Sequence, residues 1–273
     1  MLRTICRVLP RASISRTTAA MSTIHNTNQA CCSIPPVHSD YQPKGNIKSV
    51  GSFKRVYVTG SENTSALVCV YDIFGFFPQT QQGADSLASA LQTTVYMPDF
   101  FEPHRPYPIE RFPPKTQEDK DELQKFFGSI ASPSENTKKL VSFGHALRSE
   151  GIQKLGVYGM CWGGKVAVVA SGENTPFNAA AIVHPAMLSL DDSRKLNVPF
   201  AIYISKDEPL DEYNKIVDML SKNAFADKND HKNYPNMFHG WAAARADLTK
   251  EDNKKEFGDV YGRLAEFFRK NLV

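Results

Sequence analysis

From residue 66 onward, short apolar runs alternate with helix-length stretches, and no other feature constrains the fold as tightly. Ala66–Tyr71 (ALVCVY), Thr94–Met97, Leu155–Tyr158, Ala179–Val183, Val198–Ile204 and His231–Tyr234 read as strands. Gly83–Leu91, Asp119–Phe127, Ser134–Ser149, Lys165–Ala170, Leu210–Asn223 and Lys254–Asn271 read as helices. Strand, crossover helix and next strand, repeated, give an α/β fold: a mostly parallel twisted sheet with helices on both faces. Phe53–Val58 reads as an earlier strand, paired with Asn46–Val50 in a hairpin. Residues 99–117 hold five prolines without periodicity and are expected to form a long loop or lid. No interior boundary divides residues 45–273, so one domain is expected there, preceded by an extension over residues 22–44.

Charge narrows the function classes. The net charge of +3 is unevenly placed: residues 1–39 hold Arg3, Arg7, Arg11 and Arg16 and no acid, which leaves the rest at 3 − 4 = −1. A near-neutral body lacks the concentrated basic face that nucleic acid requires. No uncharged apolar run reaches the roughly 18 residues of a membrane helix, so neither nucleic acid nor membrane is expected as a partner. Residues 1–21 are rich in Arg, Ser and Thr, as a mitochondrial transit peptide is. An unstructured tail has the same composition. Initiation at Met21 would remove the segment, so the expected location is mitochondrial, cytoplasmic or both. The five cysteines (Cys6, Cys31, Cys32, Cys69 and Cys161) form no C-x-x-C and no secreted disulfide framework. Cys31-Cys32 reads either as two ordinary loop thiols or as a redox or metal feature. His104, Asp99 and Glu102 lack ligand spacing, and neither a metal nor a cofactor is expected.

The chemistry concentrates at Gly159-Met160-Cys161-Trp162-Gly163, a G-x-C-x-G turn between a strand and a helix. Such an elbow presents a nucleophile in a strained backbone conformation and needs nearly side-chain-free neighbours. It also delivers the thiol to a helix N-terminus, where the dipole favours thiolate. Taken alone, a tight turn that buries a small residue reads the same way. Two later residues complete the order nucleophile, acid, base. Asp207 follows the strand Val198–Ile204, and His239 lies in the loop YPNMFHG beyond the last strand. The loop after Ala66–Tyr71 supplies the remaining element. The backbone N–H groups of Ile73 and Trp162 are expected to form an oxyanion hole. His184-Pro185 ends a strand and either lines a pocket or serves packing.

These residues identify a likeness. Tyr71-Asp72-Ile73-Phe74-Gly75, Met97-Pro98-Asp99, the Cys161 elbow, Asp207 and His239-Gly240 resemble the dienelactone hydrolase family, also called carboxymethylenebutenolidases, from about Lys44 to the C-terminus. CCSIPPVHSDYQPKG, YDIFGFFPQTQQGAD and HGWAAARADL resemble its fungal members. The resemblance implies an α/β-hydrolase fold and a cofactor-independent Cys161–His239–Asp207 triad that opens a small ester or lactone through an acyl-thioenzyme. Asp72 stands where the family usually has a Glu that engages the resting thiol. An arginine that holds the substrate carboxylate in dienelactone-cleaving members is replaced by Ala243, leaving Arg245, Arg105 and Arg111 as candidate substitutes. Thioester cleavage or acyl transfer by the same triad, and a non-catalytic binding or redox-sensing role, remain as alternatives.

Overall fold

A computed structural model describes residues 36–272 of the chain. Its strands are β1 (Asn46–Val50), β2 (Phe53–Gly60), β3 (Ser65–Val70), β4 (Thr94–Pro98), β5 (Lys154–Met160), β6 (Ala179–Val183), β7 (Phe200–Ser205) and β8 (Asp230–Tyr234). Its helices are α1 (Pro78–Leu91), α2 (Gln117–Gly128), α3 (Pro133–Ser149), α4 (Trp162–Ala170), α5 (Leu190–Ser193), α6 (Leu210–Leu220) and α7 (Glu251–Leu272). All eight strands form one sheet in the order β1-β2-β4-β3-β5-β6-β7-β8. The expected hairpin β1–β2 forms one edge and joins β4 antiparallel, while every pairing from β4 through β3 to β8 is parallel.

Local chemistry explains the helix boundaries. Pro78 and Pro133 occupy the first turns of α1 and α3, where the fixed φ is already helical and no N–H is missed. Thr116 and Asp119 close a reciprocal capping box on α2. The expected start of α1 at Gly83 is five residues too late. That glycine is a contact site inside the helix, where a Cβ would strike the Tyr261 ring of α7 at 2.0 Å. The helix after the elbow likewise starts at Trp162, three residues before the expected Lys165. The short α5 was not anticipated; the Ser189 hydroxyl caps it at Asp192 N–H. The Pro-rich stretch is a loop with a single 3-10 turn at Ile109–Arg111.

The central strands are buried on both faces, as a parallel sheet covered by helices requires. Their register determines where the site lies. Val70 pairs with Gly159, Met160 with Val183, Val183 with Tyr203, and Ser205 with Tyr234. The loops that follow β3, β5, β6, β7 and β8 therefore emerge side by side at one edge, where open α/β sheets bind ligands. Residues 1–21, Cys6 and the Cys31-Cys32 pair lie outside the described residues. Among the described ones, no helix is long and apolar enough to cross a membrane. No group of three His, Cys, Asp or Glu side chains among them is arranged to hold a metal ion.

Candidate active site

Cys161 is the residue between β5 and α4, and its backbone has φ 54° and ψ −116°. A non-glycine residue in that region is strained and persists only where its surroundings fix it. Here the fixing bonds are visible. Cys161 N–H donates to Val183 O at 3.1 Å, and Cys161 O accepts from Gly164 N–H at 3.0 Å and Ala186 N–H at 2.9 Å. The glycines have individual reasons. A Cβ on Gly159 would meet Gly163 O at 2.1 Å, and one on Gly163 would meet Val70 O at 2.1 Å and Tyr71 O at 2.5 Å. The first turn of α4 thus presses directly on the end of β3. Gly163→Ala is expected to lower thermal stability sharply, because the obstacle is backbone rather than a movable side chain. Differential scanning calorimetry should show a loss on the order of 3 kcal/mol or more, at the severe end for a single substitution.

The same contact sets the elbow beside the loop after β3. Trp162 N–H is the first amide of α4 and has no intrahelical acceptor. Ile73 lies in the neighbouring turn, closed by Gly75 N–H donating to Asp72 O at 3.2 Å. Asp72 itself is a strut: Oδ1 accepts from Phe74 N–H at 2.9 Å and Oδ2 from Ala244 N–H at 3.3 Å. The carboxylate ties the β3 loop to the loop that carries His239. The Trp162 ring is buried, donates from Nε1 to Ala131 O at 2.7 Å, and packs 4.9 Å from the Phe101 ring.

At the end of β7 the structure departs from the expectation. The carboxylate at the His239 ring belongs to Glu208, whose Oε1 lies 2.6 Å from Nδ1 with both side chains fully buried. Its other oxygen, Oε2, accepts from Ser205 Oγ at 2.8 Å and from Ser205 N–H. Asp207, the expected orienter, is half-buried and accepts instead from the backbone N–H of His239 at 2.8 Å. It fixes the loop, and Glu208 fixes the ring. A carboxylate only accepts, so Nδ1 carries a proton in this pair, and Nε2 is the ring nitrogen left to take up or release one.

The candidate arginines separate. Arg245 is buried in the wall of the site, with its guanidinium 5.0 Å from the Phe112 ring centroid and 5.5 Å from that of Phe74. Its Nη1 reaches His239 O at 3.4 Å. Arg111 is exposed and paired with Glu122, and Arg105 is exposed beside a surface cleft of about 540 Å³. Neither joins the cluster. His184, which the sequence left between pocket and packing, does join it. Its ring is fully buried and lies edge-to-face with His239, the centroids 5.2 Å apart. The suspected metal residues have other partners. Asp99 accepts from Tyr71 Oη at 2.9 Å, and Glu102 accepts from the amides of Lys54 and Arg55.

Known proteins place this arrangement. Residues 55–272 match the model of the dienelactone hydrolase family. An uncharacterized AIM2 family protein of Schizosaccharomyces pombe is 34% identical over 235 residues, covering 85% of this chain and 93% of its own. Among solved structures, a dienelactone hydrolase from Anabaena variabilis superposes with a TM-score of 0.60 at 16% identity, covering 86% of this chain and 100% of its own. A putative dienelactone hydrolase from Klebsiella pneumoniae gives 0.58 at 17%, covering 79% and 92%. With a single mostly parallel sheet, an elbow after β5 and a family match over nearly the whole described chain, the protein belongs to the dienelactone hydrolase family and has an α/β-hydrolase fold.

Proposed function

We propose that the protein hydrolyses a small ester or lactone with Cys161 as nucleophile, through an acyl-thioenzyme. The observation that carries this reading is a strained cysteine at a strand–helix elbow, on the same sheet edge as a buried His239–Glu208 pair. His239 Nε2 takes the thiol proton as sulfur attacks the carbonyl carbon. The developing oxyanion is held by the amides of Ile73 and Trp162, each preorganised donor contributing about 3 kcal/mol. His239 then gives that proton to the departing alkoxide. In the second half it removes a proton from water as the resulting hydroxide attacks the thioester, and it returns that proton to the departing sulfur, restoring the thiol as the acid leaves. Glu208 stabilises the transient imidazolium in both halves. Arg245, the one candidate arginine inside the cluster, is the group placed to meet a polar substituent of the substrate.

The test is a panel of small esters, lactones and thioesters with purified protein, combined with rapid-quench intact-mass analysis. Turnover with a transient acyl adduct mapped to the peptide containing Cys161 is expected. Turnover of no panel member, or an adduct elsewhere, overturns the reading.

A further inference from the structure

His184 is in an unusual position for a buried polar side chain. Neither of its ring nitrogens has a hydrogen-bond partner among the described residues, and the adjacent Trp241 indole N–H has none either. Trp241 packs edge-to-face on His184, the centroids 5.2 Å apart, so the three open polar atoms belong to two touching rings beside His239. Buried polar atoms are nearly always satisfied, and a group of exceptions at one place in a fold calls for a functional explanation. Both rings are 0% exposed, and burial, then His239 and then Arg245, hold the His184 pKa well below the ordinary histidine value. Its own backbone opposes that shift only weakly. The ring is therefore neutral and offers one N–H donor and one lone pair.

The backbone places this ring deliberately. His184 is the first residue after β6 and has φ 35°, in the left-handed region that a β-carbon disfavours. Its N–H donates to Tyr203 O at 2.8 Å. The residue before it, Val183, accepts from Cys161 N–H, and Ala186 donates to Cys161 O. The segment bearing His184 is thus bonded to the nucleophile elbow on either side of the imidazole.

We propose that His184, assisted by the Trp241 N–H, is a specificity-determining residue that contacts a hydroxyl group on the substrate. This rests on the ester or lactone hydrolase reading above and adds the class of substrate: a hydroxylated acyl ester or its lactone. The choice of hydroxyl follows from the donor and acceptor count. A carboxylate only accepts and would leave the imidazole lone pair unmatched. An alkyl group would leave all three atoms unmatched. A hydroxyl both donates and accepts, so one such group can give its proton to the imidazole lone pair while accepting from the Trp241 N–H, which neither a carboxylate nor an alkyl group can do.

The experiment compares kcat/KM on ethyl butyrate and on its 2-hydroxy and 3-hydroxy derivatives, for wild type, His184→Phe and His184→Gln. The wild type is expected to prefer at least one hydroxy ester over ethyl butyrate by roughly 10–100-fold, the range one unmatched buried hydrogen-bonding group implies. His184→Phe keeps an aromatic ring against His239 and removes both nitrogens, so the ratio of the two kcat/KM values should collapse toward one. His184→Gln restores a donor and an acceptor, and its ratio should lie between the two. A wild-type ratio near one overturns the proposal, whatever the variants do. An equal loss on both esters in His184→Phe also overturns it, because the ring would then act only by packing on His239. If wild type hydrolyses neither the plain nor the hydroxy series, this proposal fails, and the hydrolase reading fails with it only if every member of the panel above is inert as well. Hydrolysis of both without preference leaves that reading standing and removes only this one.

Discussion

Glu208→Gln is expected to lower kcat by about 10³–10⁴-fold while Asp207→Asn lowers it far less. The difference follows from what each carboxylate touches. Glu208 Oε1 accepts the Nδ1 proton of a fully buried His239, so in the proposed mechanism its negative charge both selects the tautomer and stabilises the imidazolium formed during proton transfer. Glutamine at this position keeps the length but can present its NH₂ to Nδ1, which favours the opposite tautomer and removes the basic lone pair from Nε2. In a triad with intact geometry, that change alone is worth about four orders of magnitude. Asp207 accepts only a backbone amide, and asparagine retains an oxygen that can do the same. Steady-state kinetics on any substrate that the wild type turns over distinguishes the two. Equal losses, or the larger loss at Asp207, would contradict the assignment of Glu208 as orienter.

Why the sequence pointed to the neighbouring acid is instructive. In Ser205-Lys206-Asp207-Glu208-Pro209, two adjacent acids follow a strand at the sheet edge of the candidate site, and their separations from His239 differ by one residue, which does not choose between them. The turn makes the choice. Ser205 is the last buried residue of β7, and its N–H and hydroxyl reach forward three residues to Glu208 Oε2. This draws the longer side chain inward, while Asp207 is left half-buried against the loop backbone. A buried serine three residues ahead of an acid is a signal the sequence does contain, although only the fold reveals that the serine faces inward. The place of the elbow between β5 and α4 was legible because its glycines and strand–helix context restrict it strongly. Gly83 misled for a related reason: a glycine that admits the Tyr261 ring looks, in sequence, like a glycine that begins a helix. For His184 the sequence offered only its place at a strand end, which left it between pocket and packing. Its significance lies in two nitrogens without partners, which depends on every neighbour that fails to reach them.

On the proposed mechanism, Cys161→Ala is expected to abolish turnover, with a loss on the order of 10⁴–10⁶-fold in kcat, since a triad stripped of its nucleophile keeps only binding and oxyanion stabilisation. The substitution is mild structurally. Alanine adopts the same positive φ as cysteine with equal strain, and the bonds from the elbow to Val183, Gly164 and Ala186 involve backbone atoms alone. Stability should therefore change by only about 1 kcal/mol, the scale of one small buried group removed, so lost activity can be separated from lost fold by a melting curve on the same sample. Cys69 provides the internal control. It is fully buried in β3, where burial pushes its thiol up to about 12 and keeps it protonated. Cys69→Ala should preserve kcat, because that thiol neither reaches the sheet edge nor ionises near neutral pH. The acyl adduct should likewise disappear in Cys161→Ala and persist in Cys69→Ala. Retained turnover in Cys161→Ala would mean that another group attacks the carbonyl. The strained elbow, with its glycines fitted against Val70, Tyr71 and Gly163 backbone atoms, would then serve only to shape the pocket.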